Sequence, residues 1–110
     1  MSLSTEVWVF ALVRRAQLAG AFATIVRKGD ARAGAVLLKM RAPKTGAVRL
    51  WAEASGADGE RRWMQPAPSA AEADLDAYIA RAARIDPDIW VVEIDDEDGP
   101  RLLTETVYRT

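Results

Sequence analysis

A change in hydrophobic periodicity limits what this chain can fold into. Apolar residues recur at helical spacing in the first twenty positions, at Val9, Leu12, Val13 and Ala16. From Phe22 the period becomes two, and it stays so through four short runs separated by turn-rich segments. Helical spacing returns after Pro68. The 110 residues therefore predict a single α+β domain spanning residues 1–110.

The first predicted helix covers residues 5–19. Ser4 is placed to accept a hydrogen bond from the first turn, and Gly20 supplies a left-handed stop. Apolar side chains spread almost all round its first two turns, including Val7 and Phe10. A helix this apolar is either wrapped by the rest of its domain or docked on a second copy.

The strands are expected at residues 22–27, 36–41, 48–53 and 61–65, as an antiparallel meander. A second helix should begin at the capping box formed by Ser69 and Glu72, and end before Pro87. A strand at residues 89–94 follows; it either ends the sheet alone or is joined in a hairpin by a weaker strand at 102–108. Both helices are expected to form a single layer on one face of the sheet.

Charge is divided along the chain. Residues 1–50 carry nine Lys or Arg and two Asp or Glu, whereas residues 51–110 carry six and fourteen. The halves are therefore about +7 and −8, for a net charge of −1. Such halves can pair within one fold or face two different partners, and the sequence leaves both arrangements open.

Two absent residue types narrow the function. Without cysteine there is no thiolate nucleophile, disulfide or zinc–sulfur site, and without histidine the commonest general base and metal ligand are missing. We therefore favour a non-enzymatic protein with no cofactor and no bound metal. The longest apolar run, residues 7–13, is too short to cross a membrane, which favours a cytoplasmic protein.

Three patterns suggest sites. The acidic residues between 86 and 98 could attract a divalent cation, but their spacing is not that of an EF-hand and a solvated turn is the favoured explanation. Lys39 and Arg41 share a strand face that Arg49 could join, and Trp51 on the face of Arg49 could add a stacking platform for nucleic acid. The loop from Arg27 to Gly34 could bind a phosphate through its backbone amides and cations, but it lacks the Walker pattern of phosphate-binding loops.

The four tryptophans are expected mainly as core residues. In a domain of this size, large aromatic side chains fill the interior more often than they line a ligand cage. Trp63 has Arg61, Arg62 and Gln65 near it, so it is the one expected to reach the surface.

Three stretches carry a resemblance to a known family. They are Glu6-Val7-Trp8-Val9, the loop from Arg27-Lys28-Gly29-Asp30 to Ala33-Gly34-Ala35-Val36-Leu37-Leu38-Lys39, and Asp86-Pro87-Asp88-Ile89-Trp90-Val91-Val92-Glu93-Ile94. Together they resemble a small bacterial family of domains of unknown function, number 1491 in its series. The resemblance implies one domain and supplies no substrate or catalytic residue.

The candidate binding residues come from these patterns. Within the family stretches they are Arg27, Lys28, Asp30, Arg32, Asp86, Asp88, Trp90 and Glu93, and the basic hairpin adds Lys39 and Arg41. A purely geometric role is the alternative, because polar residues at the ends of helices and strands commonly cap or turn the chain.

Three functions remain open from the sequence. The favoured one is a non-catalytic, cytoplasmic protein-interaction module with a protein partner of unknown identity, which forms a homodimer through the excess apolar surface of the first helix. The second is a nucleic-acid or polyanion binder that uses the basic hairpin. The third is a small enzyme or divalent-metal protein built on the acidic stretch 86–98.

Overall fold

Six strands and two α-helices make up the computed structural model, which describes residues 4–55, 61–67, 71–103 and 106–107. In chain order they are α1 (Thr5–Leu18), β1 (Phe22–Arg27), β2 (Val36–Arg41), β3 (Val48–Ser55), β4 (Arg61–Met64), α2 (Glu72–Ile85), β5 (Trp90–Asp95) and β6 (Thr106–Val107). A short 3₁₀ helix, Gly99–Leu102, follows β5. The predicted α+β class is confirmed, as is the order helix, four strands, helix, strand.

The ends of α1 are those that the sequence predicts. Ser4 Oγ accepts a hydrogen bond from Val7 N at 3.3 Å, which satisfies one amide of the first turn. Gly20 follows the helix with φ of +89°, a conformation that other residues seldom adopt. Helix α1 therefore forms from local signals, and its buried side packs on the sheet.

Helix α2 begins later than the capping box predicts. Ala71 occupies the N-cap position and makes no side-chain cap hydrogen bond, and Ser69 lies outside the described residues. At the other end Asp86 is the C-cap and Pro87 follows, as predicted. In the part of the chain that the structure describes, no helix is long and apolar enough to cross a membrane.

The strand order corrects the predicted meander. The sheet runs β1-β5-β2-β3-β4-β6, so only β2, β3 and β4 form an antiparallel meander. Strand β5 lies between β1 and β2, antiparallel to the first and parallel to the second. The prediction that β1 pairs with β2 was wrong.

Burial on both faces explains why β5 takes the central place. Five residues of β2 and four of β5 are buried, which is typical of interior strands. In β1, exposed residues alternate with half-buried ones, as expected at an edge. Pairing by position in the sequence would have exposed the apolar residues of β5, so tertiary burial outweighs proximity along the chain.

The predicted final hairpin does not form. Both sides of β5 are occupied by β1 and β2, so no edge remains for the segment 102–108. Within the described residues, Thr106–Val107 instead pairs parallel to β4, with Thr106 opposite Arg62.

The two helices pack on opposite faces of the sheet, which corrects the expected single layer. Side chains alternate across β2, so Leu38 and its neighbours two residues away face α1, whereas Leu37 lies in the cluster with Leu75 of α2. We call these the α1 face and the α2 face. Helix α2 covers the part of its face formed by β2 and β3, where Leu50 joins the same cluster.

Trp63 is another correction. It is completely buried and stacks on Trp8 of α1, with ring centroids 5.4 Å apart. The Arg61 guanidinium lies 4.7 Å from the Trp8 ring centroid and pairs with Glu53, with Nη1 and Oε1 3.3 Å apart. Basic neighbours in the sequence therefore did not indicate an exposed tryptophan.

Leu75 should be the main apolar anchor of α2. It is fully buried, whereas Ile85 on the same helix is 77% exposed. We expect Leu75→Ala to lower the free energy of unfolding by about 2–5 kcal/mol through lost burial and a cavity. Ile85→Ala is the matched control and should change it by less than about 0.5 kcal/mol. Urea titration measures both, and equal effects would contradict the placement of α2.

Candidate functional site

The two family stretches that were predicted to carry a site meet at one end of the sheet. We call this place the junction: the loop 28–35 between β1 and β2, together with the turn 86–89 before β5. Asp30 N donates to Asp88 O at 2.9 Å, and Trp90 Nε1 donates to Asp30 O at 2.8 Å. Because β5 lies between β1 and β2, the loop that joins those strands has to cross the start of β5.

Two glycines make this crossing possible. A Cβ atom on Gly29 would lie 2.2 Å from Asp88 O and 2.6 Å from Cδ1 of Trp90. A Cβ atom on Gly34 would lie 2.2 Å from the same oxygen and 2.9 Å from the same ring atom. The loop therefore approaches the turn so closely that any side chain at either position would have to displace backbone.

The junction also holds the start of α1. Thr5 N donates to Arg32 O at 3.1 Å, and Glu6 N donates to Ala31 O at 2.9 Å. These two amides have no partner within the helix, so the loop carbonyls satisfy them. Lys28 adds a surface ion pair to Glu6, with Nζ and Oε2 3.2 Å apart. All three family stretches thus contact one another here.

The carboxylates of the junction shape its turns. Asp30 Oδ2 accepts from the amides of Arg32 at 3.1 Å and Ala33 at 2.9 Å. Asp86 Oδ1 accepts from Asp88 N at 3.0 Å. These are local side-chain-to-backbone turns, and they fix the loop and the turn in their observed conformations.

Arg27 and Trp90 close the junction from the sheet side. The Arg27 guanidinium donates from Nη1 to Pro87 O at 3.0 Å and to Ile89 O at 2.6 Å. Trp90 is fully buried, and its ring meets Phe10 of α1 edge to face at 6.4 Å between centroids. Both side chains bind the molecule's own elements.

The junction brings together seven of the ten predicted site residues, in a structural role. Arg32 and Asp88 contribute backbone atoms and have exposed side chains. The other five contribute side chains to contacts within the chain: Arg27, Lys28, Asp30, Asp86 and Trp90. This arrangement joins a helix, a loop and a strand; it does not present converging polar groups to a ligand.

Lys39 lies elsewhere, beneath α2. Its Nζ is 2.7 Å from Glu72 Oε2 and 2.7 Å from Asp76 Oδ1, and its side chain is almost entirely buried. Burial lowers the pKa of Lys39, but hydrogen bonds and charge from Asp76 and Glu72 outweigh it, so the pKa is raised. Lys39 thus joins the basic half of the chain to the acidic half.

The predicted nucleic-acid platform is not assembled. Arg41 Nη2 binds Asp95 Oδ2 at 2.9 Å, and this hydrogen bond, with the charge of Asp95, raises the pKa of Arg41. Arg49 pairs with Met40 and so lies on the α1 face, opposite Lys39 and Arg41. Trp51 shares the face of Arg49 but is buried.

The acidic turn after β5 is held by contacts within the chain. Asp96 Oδ1 accepts from Arg101 Nη2 at 3.0 Å, and Glu97 accepts from Lys44 N. Asp96 Oδ2 also accepts from Asp98 N at 2.9 Å. Among the residues with described positions, no three carboxylates group in a way that could hold a metal ion.

Glu93, like Arg32 and Asp88, makes no side-chain hydrogen bond or ion pair within the described residues. It lies on the α2 face between Thr24 of β1 and Lys39 of β2. Its carboxylate has no hydrogen-bond or ion-pair partner within the described part of the chain. The depression beside it has a volume of about 230 Å³. Other depressions, near the β2–β3 turn and the end of α2, measure about 200 and 250 Å³. Small-molecule pockets are typically larger, at about 300–1,000 Å³.

Sequence reasoning missed two features that had visible signals. The loop approaches the turn before β5 most closely at Gly29 and Gly34. Two glycines in one short loop are a sequence signal for such a close approach between backbone segments. Glu72 and Asp76 are four residues apart on one helix, which places both carboxylates on the same face, ready to bind one cation.

The fold and the junction define a small α+β domain with a mixed sheet, whose most distinctive residues hold its own elements together. The chain belongs to the DUF1491 family, described as proteins of unknown function, whose model matches residues 3–104.

Solved structures agree with this membership. A crystal structure and an NMR structure of a DUF1491 family protein from Caulobacter crescentus CB15 are each 64% identical to the chain. The crystal structure covers 97% of this chain and 100% of its own, with a TM-score of 0.91, and the NMR structure covers 99% of each, at 0.90. Protein Atu0922 from A. tumefaciens is 31% identical over 100% of this chain and 99% of its own, at 0.83. A search among curated proteins found no match.

Close packing at the junction should make it intolerant of any side chain at Gly34. Gly34→Ala places a methyl group against Asp88 O, so we expect the free energy of unfolding to fall by at least about 2 kcal/mol. Ala33→Ser in the same loop is exposed and should change it by less than about 0.5 kcal/mol. Thermal and urea unfolding measure both, and a neutral Gly34→Ala would contradict the close approach.

The ion pairs of the buried Lys39 with two exposed carboxylates should make part of the stability depend on pH. Lys39→Met should lower the free energy of unfolding at pH 7 by about 1–3 kcal/mol, because two carboxylates lose their cation. Since the folded-state pKa is raised above the ordinary value of 10.5, this contribution is fully present below that unfolded-state pKa. It is lost as the pH rises through the folded pKa.

Urea unfolding of the wild type and Lys39→Met between pH 7 and pH 11 measures this dependence. The difference between them should be constant up to about pH 10 and shrink above it. Arg49→Met, at an exposed position on the other face, is the control and should show little effect. A difference that does not change above pH 10 would show that the charge of Lys39 is not its source.

Proposed function

We propose that the protein is a non-catalytic interaction module that forms a homodimer through α1. The observation that carries this proposal is an exposed apolar stripe along α1, one member of which, Phe10, also contacts the Trp90 ring at the start of β5. Val7 is 50% exposed, Phe10 48% and Leu18 73%, and Ala11 and Arg14 complete the surface. We call these five residues the outer stripe.

Helical spacing explains why the outer stripe is continuous. Its members recur every three or four residues from Val7 to Leu18, so they share one side of the helix. The buried residues of α1 lie on the other side, from Thr5 to Ala16. A surface helix is normally polar on the side away from the core, so a second apolar stripe supports a docking surface.

A second copy of the chain is the occupant that suits this stripe. In an antiparallel pair about a two-fold axis, Leu18 of each copy would face Val7 of the other. Arg14 would face Ala11, whose small side chain leaves room for the guanidinium to reach Phe10 of the other copy. Opposed helix dipoles also favour an antiparallel pair.

The alternative functions have weaker support. A polyanion bound at the basic half would contact exposed cations such as Arg32, Lys44 and Arg49, because Lys39 and Arg41 already bind carboxylates. A metal protein or small enzyme would have to use acidic residues that hold turns and ion pairs, such as Asp86, Asp95 and Asp96. The metal protein or enzyme would require these contacts to be exchanged for a ligand.

The proposed setting is the cytoplasm of a bacterium. The relatives come from Caulobacter crescentus and A. tumefaciens, and the lack of cysteine is compatible with a reducing compartment. In this setting the partner of the module would be, first, another molecule of the same protein.

Light scattering after size-exclusion chromatography tests the homodimer. At about 100 µM we expect a mass twice the 12.0 kDa of the chain, because association rises with concentration. Leu18→Glu should return the mass to that of the monomer, since it buries a charge in the proposed interface. Gln17→Glu adds the same charge one residue away, off the stripe, and should leave the dimer intact. A wild-type monomer, or a Leu18→Glu dimer, would overturn the proposal.

A further inference from the structure

Strand β1 forms an open edge of the sheet. It comes first in the strand order and pairs with β5 on one side only. Within the described residues, no further backbone–backbone hydrogen bond engages the segment 22–26. Such an edge presents unpaired N–H and C=O groups to which another extended chain can add as a strand.

The α2 face beside this edge is not covered by any helix or strand of the described residues. Helix α2 lies over β2 and β3, and so leaves the part of the face that β1 and β5 form open. Phe22 is 77% exposed and Val26 54% exposed, and the smaller Thr24 stands between them. With Glu93 and Asp95 of β5, these residues line the 230 Å³ depression described above.

The charge of this depression is negative. Lys39 is the nearest cation in the neighbouring strand, but Glu72 and Asp76 already bind it. Arg41 is paired with Asp95 at 2.9 Å, and the charge of Glu93 acts on it only from farther away, without an ion pair. Glu93 is therefore left without an ion-pair partner in the described part of the chain, and it lies directly beside Thr24 in the register of β1 and β5.

We infer that the open edge of β1 binds an extended segment of another protein that carries a Lys or Arg between two apolar residues. The segment adds as a seventh strand next to β1. Its basic side chain passes over Thr24 to Glu93, and its residues two positions to either side pack against Phe22 and Val26. Backbone hydrogen bonds hold the segment, and the charge selects it.

A second copy of the chain fits this edge poorly. In an antiparallel pair of β1 strands, the residue that faces Thr24 would be Thr24 of the other copy, which brings no cation to Glu93. The inference rests on the proposed role as an interaction module, but it uses a different surface from the outer stripe. It also predicts a short partner segment, because an irregularity between Ile25 and Arg27 interrupts the edge.

NMR titration of the full-length chain tests the inference. The probe is a blocked peptide with the central sequence Val-Thr-Lys-Thr-Val, flanked by Gly and Ser for solubility. We expect the amide signals of residues 22–25 to shift in a saturable way. The same peptide with Glu in place of Lys should bind at least about fivefold more weakly. A peptide N-methylated on alternate residues, which removes the donors that pair with β1, should not bind.

Two variants separate the charge from the edge. Glu93→Gln should remove the preference for Lys over Glu in the peptide, whereas Asp98→Asn makes the same change of charge in the exposed turn and should preserve it. Thr24→Lys should block binding, because it places a cation beside Glu93 within the chain. Thr24 is exposed, so this variant should fold even if Glu93→Gln is destabilised.

Two results of this titration would overturn the inference. One is the absence of shifts in the amide signals of residues 22–25, and the other is a Glu93→Gln variant that still prefers the Lys peptide to the Glu peptide. Shifts of these amides with protein concentration alone would show that a second copy occupies the edge. Repeating the titration with Leu18→Glu separates the two proposals: binding there would support the edge site even if the α1 dimer fails.

Discussion

The insertion of β5 between β1 and β2 is the constraint on which the rest of the structure depends. It forces the loop 28–35 to cross the start of β5, over a distance of about two strand spacings. The crossing leaves room only for glycine at positions 29 and 34. It also brings the carbonyl of Asp30 within hydrogen-bonding distance of the Trp90 indole. Two further carbonyls of the loop accept hydrogen bonds from the first amides of α1. The distinctive family stretches are thus explained by topology.

The divided charge of the sequence is partly resolved within the molecule. Lys39 and Arg41 from the basic half bind Glu72, Asp76 and Asp95 from the acidic half. The ion pairs of Lys39 attach α2 to the sheet, and the ion pair of Arg41 joins β2 to the end of β5. Opposite charges from the two halves of the chain thus form ion pairs between elements of one molecule. Among the described residues of the α2 face, Glu93 stays outside these ion pairs.

Local features of the fold could be predicted from the sequence, whereas long-range ones could not. The bounds of α1 and the strand segments follow from capping, glycine and periodicity, all of which act over a few residues. The strand order depends on which strand is buried on both faces. The apolar residues on both faces of β5 indicate an interior strand, but they do not indicate which strands lie beside it. The burial of Lys39 depends on the position of α2, which no local pattern encodes. Seven of the ten predicted site residues meet at the junction, but which atoms they contact depends on the strand order.

The late position of β5 in the chain has a consequence for synthesis. Strands β1 and β2 are made within the first 41 residues, but the strand that fills the space between them ends at Asp95. A nascent chain therefore carries two strands whose facing edges stay unsatisfied until most of the protein has left the ribosome. Proteins synthesised at about 5–20 residues per second spend several seconds in that state, and contacts this distant in sequence form slowly. The interior of the sheet closes as one of the last events in the making of the molecule.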